Sequence, residues 1–342
     1  MPKREWNVAV VGALGMVGTE MIRTLEQRAF PVRDLRPLDR SELAGKTVSF
    51  RGTRVEVRAA DSDAFRDVDI AVFSAGGEAS KELAPEAVRS GAVVIDNSSA
   101  WRLDPECPLV VPEVNRHDLD WHKGIVANPN CSTIQMVVAL KPLDDLSRIE
   151  RVVVSTYQAA SGAGMSGYLE LREQAEAVLA GDTPEPRTFQ YVLAFNAIPH
   201  IDVFQELDYT KEEWKMVHET RKIMGRESIG VSPTCVRIPV FYGHAESVNL
   251  QTEDRIGVTE ARRALMAAEG VEVIDDPSSN LYPMPGPLAH TDAVYVGRIR
   301  EDHSIEHGLN LWVVSDNIRK GAALNAVQIA ESLVELDLVK TP

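Results

Sequence analysis

Residues 7 to 12, NVAVVG, form an unbroken valine-rich run that ends at glycine. Apolar residues in succession, without polar alternation, fit a strand covered on both faces in a parallel sheet. The next segment, MVGTEMIRTLEQRAF, sets Val17, Met21, Ile22 and Leu25 at helical spacing and stops before Pro31. Proline and the residue before it resist helix, so the first helix ends there. The alternation continues through LRPLD, a hairpin-like TVSFRGTRVEV, the strand DIAVFSAG, a helix over ASKELAPEAVRSG and the strand AVVIDNSS. That succession predicts a doubly wound α/β domain of the Rossmann type.

Beyond Cys131 the pattern changes. An apolar helix over TIQMVVALKPL is followed by longer strand-like stretches, RIERVVVSTYQAASGAG, CVRIPVFYGHAESVNLQTE and GLNLWVVSDN, with fewer helices between them. Helical spacing recurs at YLELREQAEAVLAG, TKEEWKMVHETRKIMG, TEARRALMAAEG and the C-terminal KGAALNAVQIAESLVEL, and LYPMPGP at 281–287 reads as a loop. The second half therefore predicts an α+β domain on a mostly antiparallel sheet. The expected division is residues 1–132, completed by a C-terminal helix over 320–338 that packs back on the first domain, and residues 133–319.

The chain's 342 residues agree with two domains at about 150 residues each. Thirty-six Lys and Arg against 51 Asp and Glu leave a net charge of −15, which repels phosphate polymers and anionic membranes, so neither nucleic acid nor membrane is an expected partner. The apolar runs are far shorter than the roughly 20 residues of a bilayer span. The first of them leads into a glycine motif rather than a cleavage site, which points to the cytoplasm. Three cysteines, Cys107, Cys131 and Cys235, are too few for a disulfide framework. No metal is expected.

Gly12-Ala13-Leu14-Gly15-Met16-Val17-Gly18 spaces its glycines G-x-x-G-x-x-G between a predicted strand and a predicted helix. Glycine allows the tight turn and close backbone approach, and the helix start offers N–H groups to a pyrophosphate. Asp39 and Arg40 stand at the end of the second strand, where an acid suits a ribose hydroxyl and an arginine a 2'-phosphate; NAD and NADP both remain open. A second motif, NPNCST, delivers Cys131 to the start of an apolar helix. The helix dipole there favours the thiolate, and neighbouring N–H groups can receive an oxyanion. Cys235 sits in an apolar strand and Cys107 in a loop, both fitting a packing role. A thiolate beside a nicotinamide suggests aldehyde oxidation through a thiohemiacetal, which requires a base. His244 follows a strand, VRIPVFYGH, that also carries Arg237; their odd separation of seven brings both to one sheet end only if that strand bends or bulges.

The runs GALGMVG, FSAG, VIDNSSAWR, LVVPEVN, ANPNCSTI, STYQAASGAG, SPTCVRIPVFYGH and SDNIRKGAALN, spread in order over essentially the whole chain, closely resemble the bacterial aspartate-semialdehyde dehydrogenases. The resemblance implies that Cys131 attacks the aldehyde of aspartate semialdehyde, that His244 is the general acid/base and that Gln158 orients the intermediate. Phosphate then releases the thioester as aspartyl phosphate, a reaction run in reverse during lysine, methionine and threonine biosynthesis. It further implies Arg237 and Glu212 at the substrate, and Arg102, Lys215, Asn130 and Ser99 at phosphate. For the cofactor it adds Ser74, Ala75, Gly76, Ser161, Gly162 and Asn325, with a catalytic and dimerising second domain in a homodimer or homotetramer. Where many members carry Arg-Ser for the 2'-phosphate of NADP, Glu42-Leu43 stands here, which weakens the NADP preference and leaves NAD open. The alternatives are the related N-acetyl-glutamyl-phosphate reductase and a non-catalytic dinucleotide-binding member. The EEWK helix and Arg102 favour the aspartyl enzyme, and the joint presence of Cys131, Gln158, Arg237 and His244 opposes a lapsed site.

Overall fold

The computed structural model describes residues 4–339. They form two compact units, one holding the residues up to Asn130 together with those from Ala322 onward, the other running from Cys131 to Gly321. Among the described residues no helix is long and apolar enough to cross a membrane.

The first unit is built on a six-stranded parallel sheet. Its chain runs β1 (Trp6–Val11), α1 (Met16–Gln27), β2 (Val32–Asp39), the hairpin β3 (Thr47–Phe50) and β4 (Thr53–Glu56), β5 (Arg58–Ala59), β6 (Ile70–Phe73), α2 (Gly77–Arg89), β7 (Val93–Asp96), α3 (Pro112–Asn115) and β8 (Ile125–Ala127). The sheet order is β5-β2-β1-β6-β7-β8, every pair parallel. Alternate residues of β1 feed two cores. Val8 and Val10 join Met21, Ile22 and Leu25 of α1, whereas Ala9 and Val11 join Ala84 and Ala87 of α2. Both faces are thus covered, which is why the strand reads apolar throughout. The connections switch sides between β1 and β6, and the crevice expected at such a switch point lies past their last residues, at Gly12 and Ser74.

The second unit carries α4 (Cys131–Asp144), β9 (Ile149–Gln158), α5 (Gly164–Ala180), α6 (Lys211–Ile223), β10 (Gly230–Arg237), β11 (His244–Thr252), α7 (Val258–Ala267), β12 (Val271–Val273), β13 (Val294–Asp302) and β14 (Gly308–Ser315). Its sheet runs β10-β9-β11-β14-β13-β12. Three of the five pairings are antiparallel; β10 with β9 and β12 with β13 are parallel. Helix α4 packs on the middle of this sheet and between α6 and α7. Ten of its 14 residues are buried, which accounts for a sequence apolar on every side.

The expectation of one bent strand carrying Arg237 and His244 is corrected here. Arg237 ends β10 and His244 begins β11, with residues 238–243 as the connection. Pro239 has no N–H for a ladder, and Gly243 takes φ +83°, so the chain leaves the sheet between them. Because β10 is parallel and β11 antiparallel to β9, both residues arrive beside the last residue of β9, Gln158. At the chain's end α8 (Leu324–Glu335) returns to the first unit, where Ala326, Val327, Ile329, Ala330 and Leu333 complete the core shared with α1.

Candidate active site

In the first unit, a cavity of about 510 Å³ opens at the switch point, lined by Gly12, Leu14, Gly15, Asp39, Arg40, Leu43, Ser74 and Ala75. Gly12 has φ +80°, and a Cβ there would lie 2.5 Å from the Ser74 carbonyl oxygen. A Cβ on Gly18 would stand 2.1 Å from the Gly12 oxygen, so α1 approaches the strand as only glycine allows. Helix α1 starts at Gly15 without a side-chain cap, leaving first-turn N–H groups for an anion. The Asp39 carboxylate accepts from the Leu14 N–H and the Arg40 N–H, each at 2.9 Å, and so pins the turn to the end of β2. Arg40 pairs with Glu42 at 3.3 Å on the exposed surface. These features fit a dinucleotide.

Several residues implicated by sequence do not line the cavity. Met16, Val17 and Gly18 open α1, Gly76 caps α2, and Glu42 lies outside. The Asn325 amide donates to the Val110 carbonyl at 3.0 Å and to Asn128 Oδ1 at 2.7 Å, tying α8 within its unit. Buried Arg102 donates to the carbonyls of Asn128 at 3.0 Å and Asn97 at 2.8 Å; Asn130 is buried and Ser99 exposed.

In the second unit, the start of α4 and the converging ends of β9, β10 and β11 bring Cys131, Gln158, Arg237 and His244 together with Glu212 of α6. Cys131 is half-buried and is the first residue of α4. Cys107 and Cys235 are buried. Burial, reinforced by Glu212, holds the Cys235 thiol well above its ordinary range, so it stays protonated. Arg237 is 7% exposed; its Nη1 donates to the Ala159 carbonyl at 2.7 Å and its guanidinium lies 5.8 Å from the Phe189 ring centre. Burial lowers its pKa, while Glu212 and the Cys131 sulfur favour its charge.

Glu212 joins the polar groups. It accepts from Gln158 Nε2 at 3.2 Å and from Lys215 Nζ at 2.9 Å, and Lys215 also reaches Asp202 at 3.0 Å. Burial opposes the lysine's charge, but Glu212 and then Asp202 outweigh it and raise its pKa. His244 is completely buried. Its Nδ1 accepts from the Ala159 N–H at 3.0 Å, so the neutral ring carries its proton on Nε2, which has no partner among the described residues. Burial and then Arg237 hold its pKa down at about 3, while Glu212 and the Gly243 carbonyl favour the charged ring. Gly162 leaves the space over these groups open: a Cβ there would lie 2.6 Å from Arg237 Nη1 and 3.3 Å from His244 Nε2. A thiol able to act as a nucleophile, a guanidinium that can pair a carboxylate, and a ring nitrogen unpartnered among the described residues thus share one unit.

Residues 7–122 match the family described as semialdehyde dehydrogenase, NAD binding domain, and residues 140–320 match semialdehyde dehydrogenase, dimerisation domain. The aspartate-semialdehyde dehydrogenase of Aquifex aeolicus is 56% identical over 338 residues, covering 98% of this chain and 99% of its own. The chain belongs to the aspartate-semialdehyde dehydrogenase family. The Bacillus subtilis enzyme of the family is 51% identical over 98% of this chain and 99% of its own. Among solved structures, aspartate semialdehyde dehydrogenase II from Vibrio cholerae, complexed with ASA, superposes with a TM-score of 0.95 at 48% identity, covering 97% of this chain and 99% of that one. The α/β architecture with a Rossmann-type unit is the fold expected of this family.

The sequence reading passed over several residues that shape the family member's site. Ala159 supplies both the N–H that holds His244 and the carbonyl that holds Arg237, a backbone role without a side-chain signature. Phe189 comes from a stretch with no recognisable motif. Gly321 stands where a Cβ would be 2.8 Å from Cys131 Cβ; it lies in a π-helical turn, Arg319–Ala323, inside the motif SDNIRKGAALN. Ala60, Ala79, Glu82 and Leu83 add to the cavity lining of the first unit.

Proposed function

We propose that the protein catalyses the reversible conversion of aspartyl 4-phosphate to aspartate 4-semialdehyde and phosphate through a thioester on Cys131. The observation that carries this reading is the grouping of Cys131, Gln158, Glu212, Arg237 and His244 in one unit. In the oxidising direction the Cys131 thiolate adds to the aldehyde carbon while Arg237 pairs the substrate carboxylate and Gln158 orients the adduct. His244 Nε2 is the atom at which the proton of the former carbonyl oxygen is held and moved. The neutral ring donates a hydrogen bond from Nε2 to the oxygen as the thiolate adds; taking up that oxygen's proton at Nε2 requires the ring to carry its other proton on Nδ1. Substrate carboxylate on Arg237 removes part of the positive field that opposes charging of this ring. When bound in the first unit, a nicotinamide dinucleotide supplies the acceptor or donor of two electrons and a proton equivalent. Phosphate oxygen then bonds to the thioester carbon and Cys131 leaves as thiolate, with Lys215, Arg102, Asn130 and Ser99 assigned to phosphate.

For the cofactor we assign Gly12–Gly18, Asp39, Arg40, the turn Ser74–Gly76, Ser161, Gly162 and Asn325, with NADP expected from the family. Arg40, which lines the cavity, is paired with exposed Glu42. Glu42→Arg is expected to raise the ratio of kcat/KM for NADP over NAD by about tenfold, one charge-assisted phosphate contact; an unchanged ratio places the ribose elsewhere. Gly162→Ala puts a methyl against Arg237 and His244 and is expected to lower kcat/KM for the semialdehyde by about tenfold or more. Wild-type catalysis on the semialdehyde would place the substrate elsewhere. A homodimer or a dimer of dimers accords with the dimerisation domain family matched by residues 140–320, and the cytoplasm is the location we assign. The deciding assay is purified protein with aspartate semialdehyde, phosphate and each dinucleotide in turn; no reduced cofactor with either would reject the reading.

A further inference from the structure

The Ser-Asp-Asn run at 315–317 has no part in the reaction as derived above. It leaves the end of β14 next to the start of β11, where Ser315 pairs with His244. Asn317 is 3% exposed, and both ends of its amide are engaged. Its Oδ1 accepts from the Gly243 N–H at 2.9 Å and from the Ser161 hydroxyl at 3.2 Å, and its Nδ2 lies 3.0 Å from the same hydroxyl. Gly243 is confined on another side as well, because a Cβ there would meet Pro285 at 3.0 Å. One side chain therefore ties the residue before His244 to the turn Ala159–Gly162. That turn supplies the Ala159 N–H bonded to His244 Nδ1 at 3.0 Å, and its Ala160 N–H donates to the Val240 carbonyl at 2.8 Å.

We propose that Asn317 is a positioning residue for His244: by holding Gly243 and Ser161 on one buried amide, it keeps His244 Nδ1 on the Ala159 N–H and the neutral ring's proton on Nε2, where it can hydrogen-bond the oxygen of the adduct. The Gly243 backbone also favours the charged form of the ring. The bond from the Ala159 N–H to Nδ1 is what fixes the neutral tautomer. Without the amide, the Gly243 N–H and the Ser161 hydroxyl lose their partner in a dry interior, and the backbone must shift or admit water. Either response loosens the Ala159 bond to Nδ1 and lets the ring exchange its proton between Nδ1 and Nε2. The inference deepens the thioester reading and rests on it for its kinetic part.

The charged and titratable groups around His244 are Arg237 on β10, Glu212 on α6, Cys131 on α4 through Arg237, Glu246 on its own strand, held neutral by burial, and Asp316 beyond β14, which accepts from the Ile318 and Arg319 N–H groups. Asn317→Asp keeps the acceptor for Gly243 but adds a negative charge, which favours the imidazolium.

The test uses the full chain. In the unsubstituted protein, ring ¹⁵N shifts of His244, assigned through His244→Asn, are expected to show the Nε2–H tautomer at neutral pH. In folded Asn317→Ala they should move toward the exchange-averaged position. The kcat is expected to fall about 10- to 100-fold, the size of a small misplacement of a reacting group, with the semialdehyde KM changed less than about threefold. Asn317→Asp should recover most of kcat and move the acid limb of the kcat profile about one pH unit upward. An unchanged tautomer in folded Asn317→Ala, or a kcat within about twofold of wild type, overturns the proposal. If the alanine variant does not fold, an acid limb in Asn317→Asp at its original pH overturns it equally. The tautomer measurement needs no turnover, so it decides Asn317's role even if the unsubstituted protein fails with aspartate semialdehyde, a result that would reject the proposed function instead.

Discussion

Cys131→Ala is expected to lower phosphate-dependent reduction of the cofactor by about 10⁴-fold or more, the scale on which removal of a covalent nucleophile acts. Three features support this sulfur as the proposed nucleophile. It begins α4, where the helix dipole favours a negative charge; it interacts with the buried Arg237 guanidinium; and Gly321 leaves room beside its Cβ. Cys235 has the opposite environment, since burial and Glu212 keep its thiol protonated. Cys131 does not line the cavity at the switch point, so dinucleotide binding measured by fluorescence titration should be unchanged in the variant. Turnover within tenfold of wild type, or an acyl adduct mapped by mass spectrometry to a different side chain, would remove the thioester route.

The second large effect is expected from His244→Asn, which keeps a polar group of similar shape but removes the proton carrier. The kcat should fall about 10²- to 10⁴-fold, the usual range for general acid–base catalysis. Burial and Arg237 depress the ring's pKa from the ordinary 6.5 to about 3, so the folded protein keeps it neutral across that interval. An unfolded chain binds a proton there and the folded one does not. This residue therefore makes stability fall as pH drops from about 6.5 toward 3, and its penalty is absent above 6.5. Urea unfolding of the two proteins across this range should show a shallower acid-side loss in His244→Asn. Parallel curves together with a wild-type rate would reject both the burial of a neutral ring and its catalytic role.

The first unit was legible from sequence because its strands are apolar without interruption and its glycines have steric reasons that need no partner. The Gly12 and Gly18 contacts, for example, are backbone against backbone. The second unit was legible only in part. Val294–Asp302 was not foreseen as a strand: Gly297 sits where a Cβ would lie 2.3 Å from the Ile274 oxygen, and the register shifts between Gly297 and Arg300, so the polar alternation is broken. The segment VRIPVFYGH was read as one strand because its residues are individually β-formers; whether a chain continues or reverses depends on which neighbour its ends can pair with. At the site, motif residues stand out by type, whereas Ala159 acts through its peptide group and leaves no trace in composition.

The first unit closes its hydrophobic interior with side chains from stretches far apart in the chain: Val8, Val10 and Leu25 precede the second unit, and Ala326, Val327 and Leu333 follow it. A ribosome adding about 5–20 residues per second delivers all of the second unit before the α8 side chains exist. For something on the order of ten seconds or longer the nascent sheet keeps one apolar side without its cover. Removing α8 would leave that apolar side uncovered in the finished protein as well.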